Sequence, residues 1–121
     1  MNIKPMTLLV AAAIIGSGTG CSRTVTYADI APMLQEKCAS CHTGEQEGLV
    51  KSGFSVESYE TVMQGTKLGP VIVAGSAESS SLFRMVAGKT DKAIQMPHAG
   101  DSLGDDQIDT IRRWIDQGAH K

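Results

Sequence analysis

The stretch Cys38-Ala39-Ser40-Cys41-His42 holds two of the chain's three cysteines and one of its three histidines. Two thiols three residues apart, with an imidazole directly after the second, place three reactive side chains on about one helical turn. Three such groups in five residues indicate a site with a chemical purpose, and the rest of the chain is expected to fold around it.

A C-x-x-C-H stretch in an exported protein is typical of covalent haem attachment. Each thiol adds across one haem vinyl group, and the adjacent imidazole reaches the iron from one face of the ring. The spacing matters because both sulfurs must reach one porphyrin edge while the next residue turns under the metal. The stretch therefore predicts one covalently bound haem c, with thioethers from Cys38 and Cys41 and iron ligation by His42.

Three other interpretations compete with haem attachment. A zinc site needs four ligands, and only the scattered histidines His42, His98 and His120 are available beside the two cysteines. A thioredoxin-like redox pair needs a βαβ context, which the helical pattern of this chain does not offer. A structural disulfide across so short a loop would add little to the fold.

The first 20 residues have the pattern of a secretory signal. Lys4 is followed by the apolar run TLLVAAAII and then by the small residues GSGTG, which lead into Cys21. A membrane span would need roughly 20 apolar residues, so this shorter run predicts a signal peptide over residues 1–20 and an exported protein.

Cys21 is a candidate for lipid attachment. Bacterial lipoprotein signals end in small residues before a cysteine that becomes acylated, and Gly18-Thr19-Gly20-Cys21 resembles such a lipobox, although Gly18 stands where leucine is usual. The sequence therefore predicts anchoring to a bacterial membrane through Cys21, and ordinary cleavage near this site is the alternative.

Composition excludes some partners and limits the size of the fold. Removing residues 1–20 takes away Lys4 and no acidic residue, which leaves 10 basic and 13 acidic residues and a net charge of −3. No basic stripe is available for phosphates, so nucleic acid is not expected as a partner. About 100 residues form one domain. We predict a tether over residues 21–28 and a haem domain over residues 29–121.

Four helices are predicted within an all-α domain. The first runs from about Asp29 into Cys38, with Pro32 in its first turn. The second is capped by Ser55 and the third by Ser79 or Ser80. The last has Gly104 as its N-cap and Gln107 at the capping-box position, and it carries Ile108, Ile111, Trp114 and Ile115 on one face. The segment 68–75 (LGPVIVAG) and residues 89–102 are expected to be loops.

Met96 is the leading candidate for the sixth iron ligand. It lies in the loop at 89–102, directly before Pro97, which stiffens the backbone and cannot continue a helix. Thioether ligation favours the reduced iron and raises the reduction potential. The other methionines at helical spacing, Met33, Met63 and Met85, are interpreted as core filler.

The sequence resembles the small c-type cytochrome domains of the planctomycete type, which are close to single-domain class I cytochromes c. The resemblance covers residues from about 30 to 119. The blocks that carry it are IAPMLQEKCASCH, SGFSVESYETVMQG, GPVIVAGSAESSSLFRMV, QMPH and LGDDQIDTIRRWIDQGA. It implies a cytochrome c-like fold of short helices and long loops wrapped around one haem, first and last helices that cross, and His42 and Met96 as axial ligands.

One residue departs from the family pattern. The family usually has two prolines after the methionine, and here the second is His98, which offers an imidazole as an alternative sixth ligand. Trp114 is interpreted as packing with an indole that could approach the haem. Arg112 and Arg113 form a solvated face or pair with a haem propionate, and His120 is expected in solvent.

A haem with both axial positions filled leaves no place for a substrate at the iron, so the predicted function is the transfer of single electrons between redox partner proteins, in the periplasm or at a membrane surface. No catalytic residue and no small-molecule substrate are predicted. A ligand sensor or small peroxidase with a labile sixth ligand is the alternative, and a docking subunit of a larger redox complex is a third possibility.

Overall fold

The computed structural model describes residues 22–121, so the predicted signal peptide and Cys21 lie outside the described residues. Within residues 22–121 the structure is helical and has no strand; its β pairing is an isolated bridge between Thr66 and Gly69. The helices are α1 (Tyr27–Lys37), α2 (Ala39–His42), α3 (Glu47–Ser52), α4 (Tyr59–Gln64), α5 (Ser81–Val86), a 3₁₀ helix (Lys92–Ile94) and α6 (Asp105–Asp116). This agrees with the predicted all-α, cytochrome c-like fold.

Helix α1 begins earlier than the sequence predicted. Thr26 is its N-cap, and the Thr26 backbone N–H donates to the Asp29 carboxylate at 2.8 Å, so Asp29 ends the first turn instead of starting the helix. Pro32 consequently lies in the second turn, and its predicted place in the first turn was wrong. The tether predicted over residues 21–28 stays a prediction, with α1 starting inside that range.

Helices α1 and α6 pack against each other and contribute several of the most deeply buried core residues. Ile30 and Leu34 on α1, and Ile111, Trp114 and Ile115 on α6, are at most 1% exposed. Burying each such side chain contributes about 1.5–3 kcal/mol. The contact expected between the first and last helices is therefore confirmed, and α6 begins at its predicted cap, with the Gln107 side chain accepting from the Gly104 N–H at 3.0 Å.

The two ends of the described chain are joined. The Tyr27 N–H and the Trp114 Nε1–H both donate to the carbonyl of His120, at 2.9 Å and 2.8 Å, and the Tyr59 hydroxyl donates to the carbonyl of Ala119 at 3.0 Å. Ala119 is fully buried. The C-terminal residues thus close over the start of α1.

Two predictions about the short helices need correction. Helix α4 is capped by Ser58, whose hydroxyl accepts from the Thr61 N–H, and not by Ser55, which lies in the turn before it. Helix α3, six residues with none buried, was not predicted. The third predicted helix is α5, with Ser80 as its N-cap as expected.

The long connection between α4 and α5 is a loop, as predicted for residues 68–75. It is fixed by Ser80, whose fully buried hydroxyl accepts from the Val73 N–H at 2.8 Å and donates to the Ser76 carbonyl at 2.8 Å. At its start, Gly65 has a φ of +84°, and a Cβ there would meet the carbonyl oxygen of Gly69 at 2.4 Å. Glycine is therefore required where this loop folds back on α4.

Candidate functional site

Cys38 is the junction between α1 and α2. Its backbone N–H donates to the Leu34 carbonyl at 2.9 Å, which ends α1, while its own carbonyl accepts from Cys41 at 3.1 Å and from His42 at 3.0 Å, which starts α2. The four-residue helix α2 therefore places both cysteines and His42 on a single turn. The three side chains that are close in the sequence are therefore also close in space.

The two cysteines differ in their surroundings. Both thiols are free, and Cys38 is half-buried whereas Cys41 is exposed. Burial, and then the neighbouring Cys41, raise the pKa of the Cys38 thiol to about 11. The two thiols are not joined in a disulfide, and both border the same cavity.

His42 is held in one orientation. Its side chain is buried, and its Nδ1 lies 3.0 Å from the carbonyl oxygen of Phe54. A carbonyl only accepts, so Nδ1 carries a proton, and Nε2 is the ring nitrogen left available to a metal. The Phe54 ring meets the imidazole edge-on, with ring centroids 5.3 Å apart. An imidazole fixed through Nδ1 is the arrangement that metal-binding histidines adopt, with Nε2 presented to the metal.

A cavity of about 480 Å³ lies beside this turn. Ligand and cofactor pockets span roughly 300–1,000 Å³ and are lined mainly by apolar side chains. Cys38, Cys41 and His42 border this cavity. Its apolar wall is formed by Phe54, Val71, Leu82, Met85 and Val86.

The predicted sixth-ligand loop reaches the same cavity. Met96 and His98 both line it, although more than 50 residues separate them from His42 in the chain. Met96 is half-buried and its backbone N–H donates to the Met85 carbonyl at 3.3 Å, which ties the loop to α5. His98 is exposed. The fold therefore brings both candidate ligands from the sequence to the site.

Met85 has a different place from the one that the sequence predicted. Met33 is buried in the core and Met63 packs against it, in agreement with their interpretation as filler. Met85 lines the cavity instead. Its spacing on α5 is the same as that of a core residue, so the sequence offered no signal that separates the two roles.

The residues of α6 stay away from the cavity. Trp114 is fully buried but does not line it, and the expectation that its indole approaches the haem is not supported. Arg112 pairs with Asp109 and Asp116 on its own helix, and Arg113 donates to the Arg23 carbonyl at 3.4 Å.

The basic side chains that line the cavity belong to other elements. They are Lys37, at the end of α1, and Lys51, on α3. The pairing of Arg112 or Arg113 with a haem propionate is therefore not supported by their positions. His120 is exposed, as the sequence predicted for it, and it also lies outside the cavity.

Close packing fixes α3 against the cysteine turn. A Cβ on Gly48 would lie 2.6 Å from the carbonyl oxygen of Cys41 and 3.1 Å from its Cβ. Only glycine fits this approach without a backbone shift. No sequence pattern marks this contact, since α3 has no buried residue.

The competing interpretations of the cysteines find no support in the described residues. Within residues 22–121 no group of three or more histidine, cysteine, aspartate or glutamate side chains is placed to hold a metal ion. This part of the chain also has no strand from which the βαβ unit of a thioredoxin-like protein could be built.

The residues around the cavity fit a covalently bound haem. Two free thiols on one turn can form the thioethers, His42 Nε2 can bind the iron, and an apolar wall can enclose the ring. Met96 or His98 can supply the second axial ligand. Together these features define the class of c-type haem domains.

Comparison with known proteins identifies the family within that class. The chain matches the family described as Planctomycete cytochrome C over residues 38–100, which is just over half of its length, and it belongs to that family. At this general level the chain is a haem-binding electron carrier, and domains of this kind are typically exported. No curated protein and no solved structure matches the chain. None of the helices in the described region is long and apolar enough to cross a bilayer.

Proposed function

We propose that this chain is a monohaem c-type cytochrome that carries single electrons between redox partner proteins, and that it is not an enzyme in its own right. The observation that carries the proposal is the convergence of Cys38, Cys41, His42 and Met96 on one cavity. Two sulfurs for attachment and two candidate axial ligands complete the requirements of a six-coordinate haem.

Each residue has a distinct role in this proposal. Cys38 and Cys41 hold the haem by thioether bonds, and His42 binds the iron through Nε2. Met96 supplies the second axial ligand through its thioether sulfur, which favours the reduced iron. When bound, haem c supplies a one-electron couple between ferrous and ferric iron.

The protein's own contribution is ligation, burial and rigidity. The hydrogen bond from His42 Nδ1 to Phe54 fixes the imidazole, and Val71, Leu82 and Val86 give the cavity an apolar wall. A site whose ligands stay in place reorganises little when its charge changes by one electron. This suits transfer between partners and leaves no place for a substrate at the metal.

We place this function in the periplasm or at a membrane surface. The signal pattern of residues 1–20 supports export, and the lipobox-like Gly18-Thr19-Gly20-Cys21 supports a lipid anchor on Cys21. Its partners are other redox proteins. Neither nucleic acid nor a small-molecule substrate belongs to the proposal.

A visible and near-infrared spectrum of protein matured in a competent periplasm tests the proposal. We expect a haem that acidified solvent does not extract, together with the near-infrared band of ferric iron with methionine ligation. Met96→Ala should abolish that band and lower the reduction potential. Met63→Ala is the matched control, because Met63 packs against the core and does not line the cavity. A colourless preparation, or a haem that is extracted, contradicts the proposal.

One observation favours a second candidate function. His98 lines the cavity beside Met96 and is exposed, so an imidazole stands close to the proposed sixth-ligand position. If Met96 dissociates, the domain becomes a sensor of small ligands or a small peroxidase, with His98 as the nearby acid or base. Rapid uptake of CO by the ferrous protein at neutral pH would support this function against the electron carrier.

A further inference from the structure

Residues 54–57, which we call the clamp, bond to His42 on two sides. The Phe54 carbonyl accepts from His42 Nδ1 at 3.0 Å, and the Val56 backbone N–H donates to the His42 carbonyl at 3.1 Å. Phe54 is 6% exposed and Val56 is 0% exposed. Two buried residues of the clamp are therefore hydrogen-bonded to the same histidine, one to its side chain and the other to its backbone.

The clamp also holds the turn that follows the histidine. Oε1 of Glu57 accepts from the Gly44 N–H at 3.2 Å, and Oε2 of Glu57 accepts from the Ser55 hydroxyl at 3.3 Å. The Ser55 hydroxyl in turn accepts from the Glu57 N–H at 3.2 Å. The carboxylate thus bridges the clamp and the chain two residues beyond His42.

Gln35 fixes the clamp to α1. Its Nε2 donates to the Val56 carbonyl at 2.8 Å, across a separation of 21 residues. Val56 is therefore bonded in both directions, with its N–H to His42 and its C=O to Gln35. The amide of Gln35 is the only side-chain group that connects α1 to the clamp among the hydrogen bonds of residues 22–121.

We propose that Gln35 and Glu57 are positioning residues that set the orientation and basicity of the His42 imidazole. The inference rests on the proposed function, since it takes His42 as the iron ligand. Groups that orient a metal-bound histidine through its other ring nitrogen tune ligand basicity and metal affinity. Here the orienting group is a backbone carbonyl, so side chains act by fixing the backbone that carries it.

Loss of the Gln35 bond acts on the metal through the clamp. Without the amide, the Val56 carbonyl loses its partner, residues 54–57 can shift away from α1, and the bond from His42 Nδ1 to Phe54 weakens. A weaker bond at Nδ1 makes the imidazole a poorer electron donor. The ferric state is then less stabilised, so the reduction potential rises.

Gln35→Met and Gln35→Ala test this step. Methionine keeps most of the side-chain volume but cannot donate, so both variants should raise the potential and shift the His42 ring proton resonances in NMR spectra of the haem protein. Gln64→Ala is the control, because Gln64 is an exposed glutamine at the end of α4 that does not line the cavity. His42 signals and a potential that stay as in the wild type in Gln35→Met would overturn the role of Gln35.

Glu57→Gln and Glu57→Ala separate positioning from charge. Glutamine keeps an oxygen that can accept from Gly44 but carries no charge, whereas alanine loses the acceptor. Positioning predicts that the His42 resonances shift in Glu57→Ala and return to the wild-type values in Glu57→Gln. Equal shifts in both variants would mean that Glu57 acts by charge alone, and its positioning role would be wrong.

These outcomes are separable from failure of the proposed function. If the wild-type protein binds no covalent haem, the proposed function fails before any variant is compared. If the wild type is a normal low-spin cytochrome and the Gln35 variants match it, only the positioning inference fails. Both residues are exposed, so a loss of folding in the variants is not expected.

Discussion

The two ends of α1 lie in different kinds of structure. At its start, Tyr27 packs against Tyr59 and Trp114, with ring centroids 5.5 and 6.3 Å away. At its end, Lys37 and Cys38 border a cavity of about 480 Å³. The helix is about 16 Å long, so these regions are separated by little more than ten residues.

The difference shows that the molecule completes its packing in two ways. Three of its five aromatic residues are gathered at the start of α1, where side chains and the C-terminal residues fill the interior. Around the cysteines the chain leaves space and supplies ligand groups. We infer that the aromatic end carries its own stability, whereas the cavity end depends on the haem that it binds.

The largest effect is expected from a substitution in the aromatic end, where Tyr27, Tyr59 and Trp114 pack together. Trp114→Ala removes a fully buried side chain and its hydrogen bond to the His120 carbonyl, and we expect a loss of about 3–5 kcal/mol in the free energy of unfolding. Denaturant unfolding of the haem protein measures it. Trp114→Phe should lose less, because the ring volume is largely kept. A loss below about 1 kcal/mol for the alanine variant would contradict the comparison.

The next effect concerns the cavity end. The double variant Cys38→Ala/Cys41→Ala cannot form thioethers, and we expect it to unfold at a clearly lower denaturant concentration than the wild type, because ligation and burial of the haem occur only in the folded state. Hydrogen exchange should become faster in α2, α3 and α5 and change least in α6. Equal acceleration in every helix would show that the two ends are one cooperative unit, against the comparison.

A smaller effect tests the packing of α3 on the cysteine turn. In Gly48→Ala the new Cβ meets the Cys41 carbonyl oxygen at 2.6 Å, so we expect about 1–3 kcal/mol of destabilisation and a lower yield of haem-loaded protein. Gly104→Ser is the control, because a Cβ there lies 4.0 Å from Gln107 Oε1, which is an ordinary contact, and serine is a good N-cap. Wild-type stability in Gly48→Ala would mean that α3 moves freely against the cysteines.

The smallest effect concerns pH at the start of α1. Hydrogen bonding from the Thr26 backbone, aided by Arg23, holds the pKa of Asp29 below its ordinary value. The stabilisation is complete above the ordinary carboxyl pKa of about 4 and is lost as the pH falls through the lowered pKa. Asp29→Asn should therefore flatten the acid limb of a plot of Tm against pH. An unchanged acid limb would contradict the role of this charge.

Local signals explain which helices could be predicted. The sequence of α6 contains every local signal of a helix: Gly104 precedes it, acidic residues occupy its first turn, and one face is continuously apolar. Its start was therefore predicted correctly. Ser55 and Ser58 each accept from a backbone N–H further along the chain, so the sequence alone could not tell the turn from the helix cap. Helix α3 has no buried residue and therefore no periodic signal.

The residues of the candidate site likewise fall into two groups, those that a local sequence pattern marks and those that only the tertiary structure brings to the site. The placement of Cys38, Cys41 and His42 on one turn beside the cavity could be predicted, because the three side chains stand within five consecutive residues. Phe54 takes part through its carbonyl, which every residue has, so no sequence pattern marks it. Met85 reaches the cavity only because α5 packs beside it, which is a property of the tertiary structure. Gln35 and Glu57 likewise act on backbone groups that are distant in the chain.

The hydrogen bonds that join residues 25–27 to the C-terminal residues have a mechanical consequence. Val25 donates to the Gln117 side chain at 2.7 Å, and Tyr27 donates to the His120 carbonyl at 2.9 Å. Tension applied to the chain ahead of Val25 is therefore passed to α6 and the C-terminal residues before it reaches the rest of α1. The turn that carries the two cysteines lies at the far end of that helix, shielded from the load.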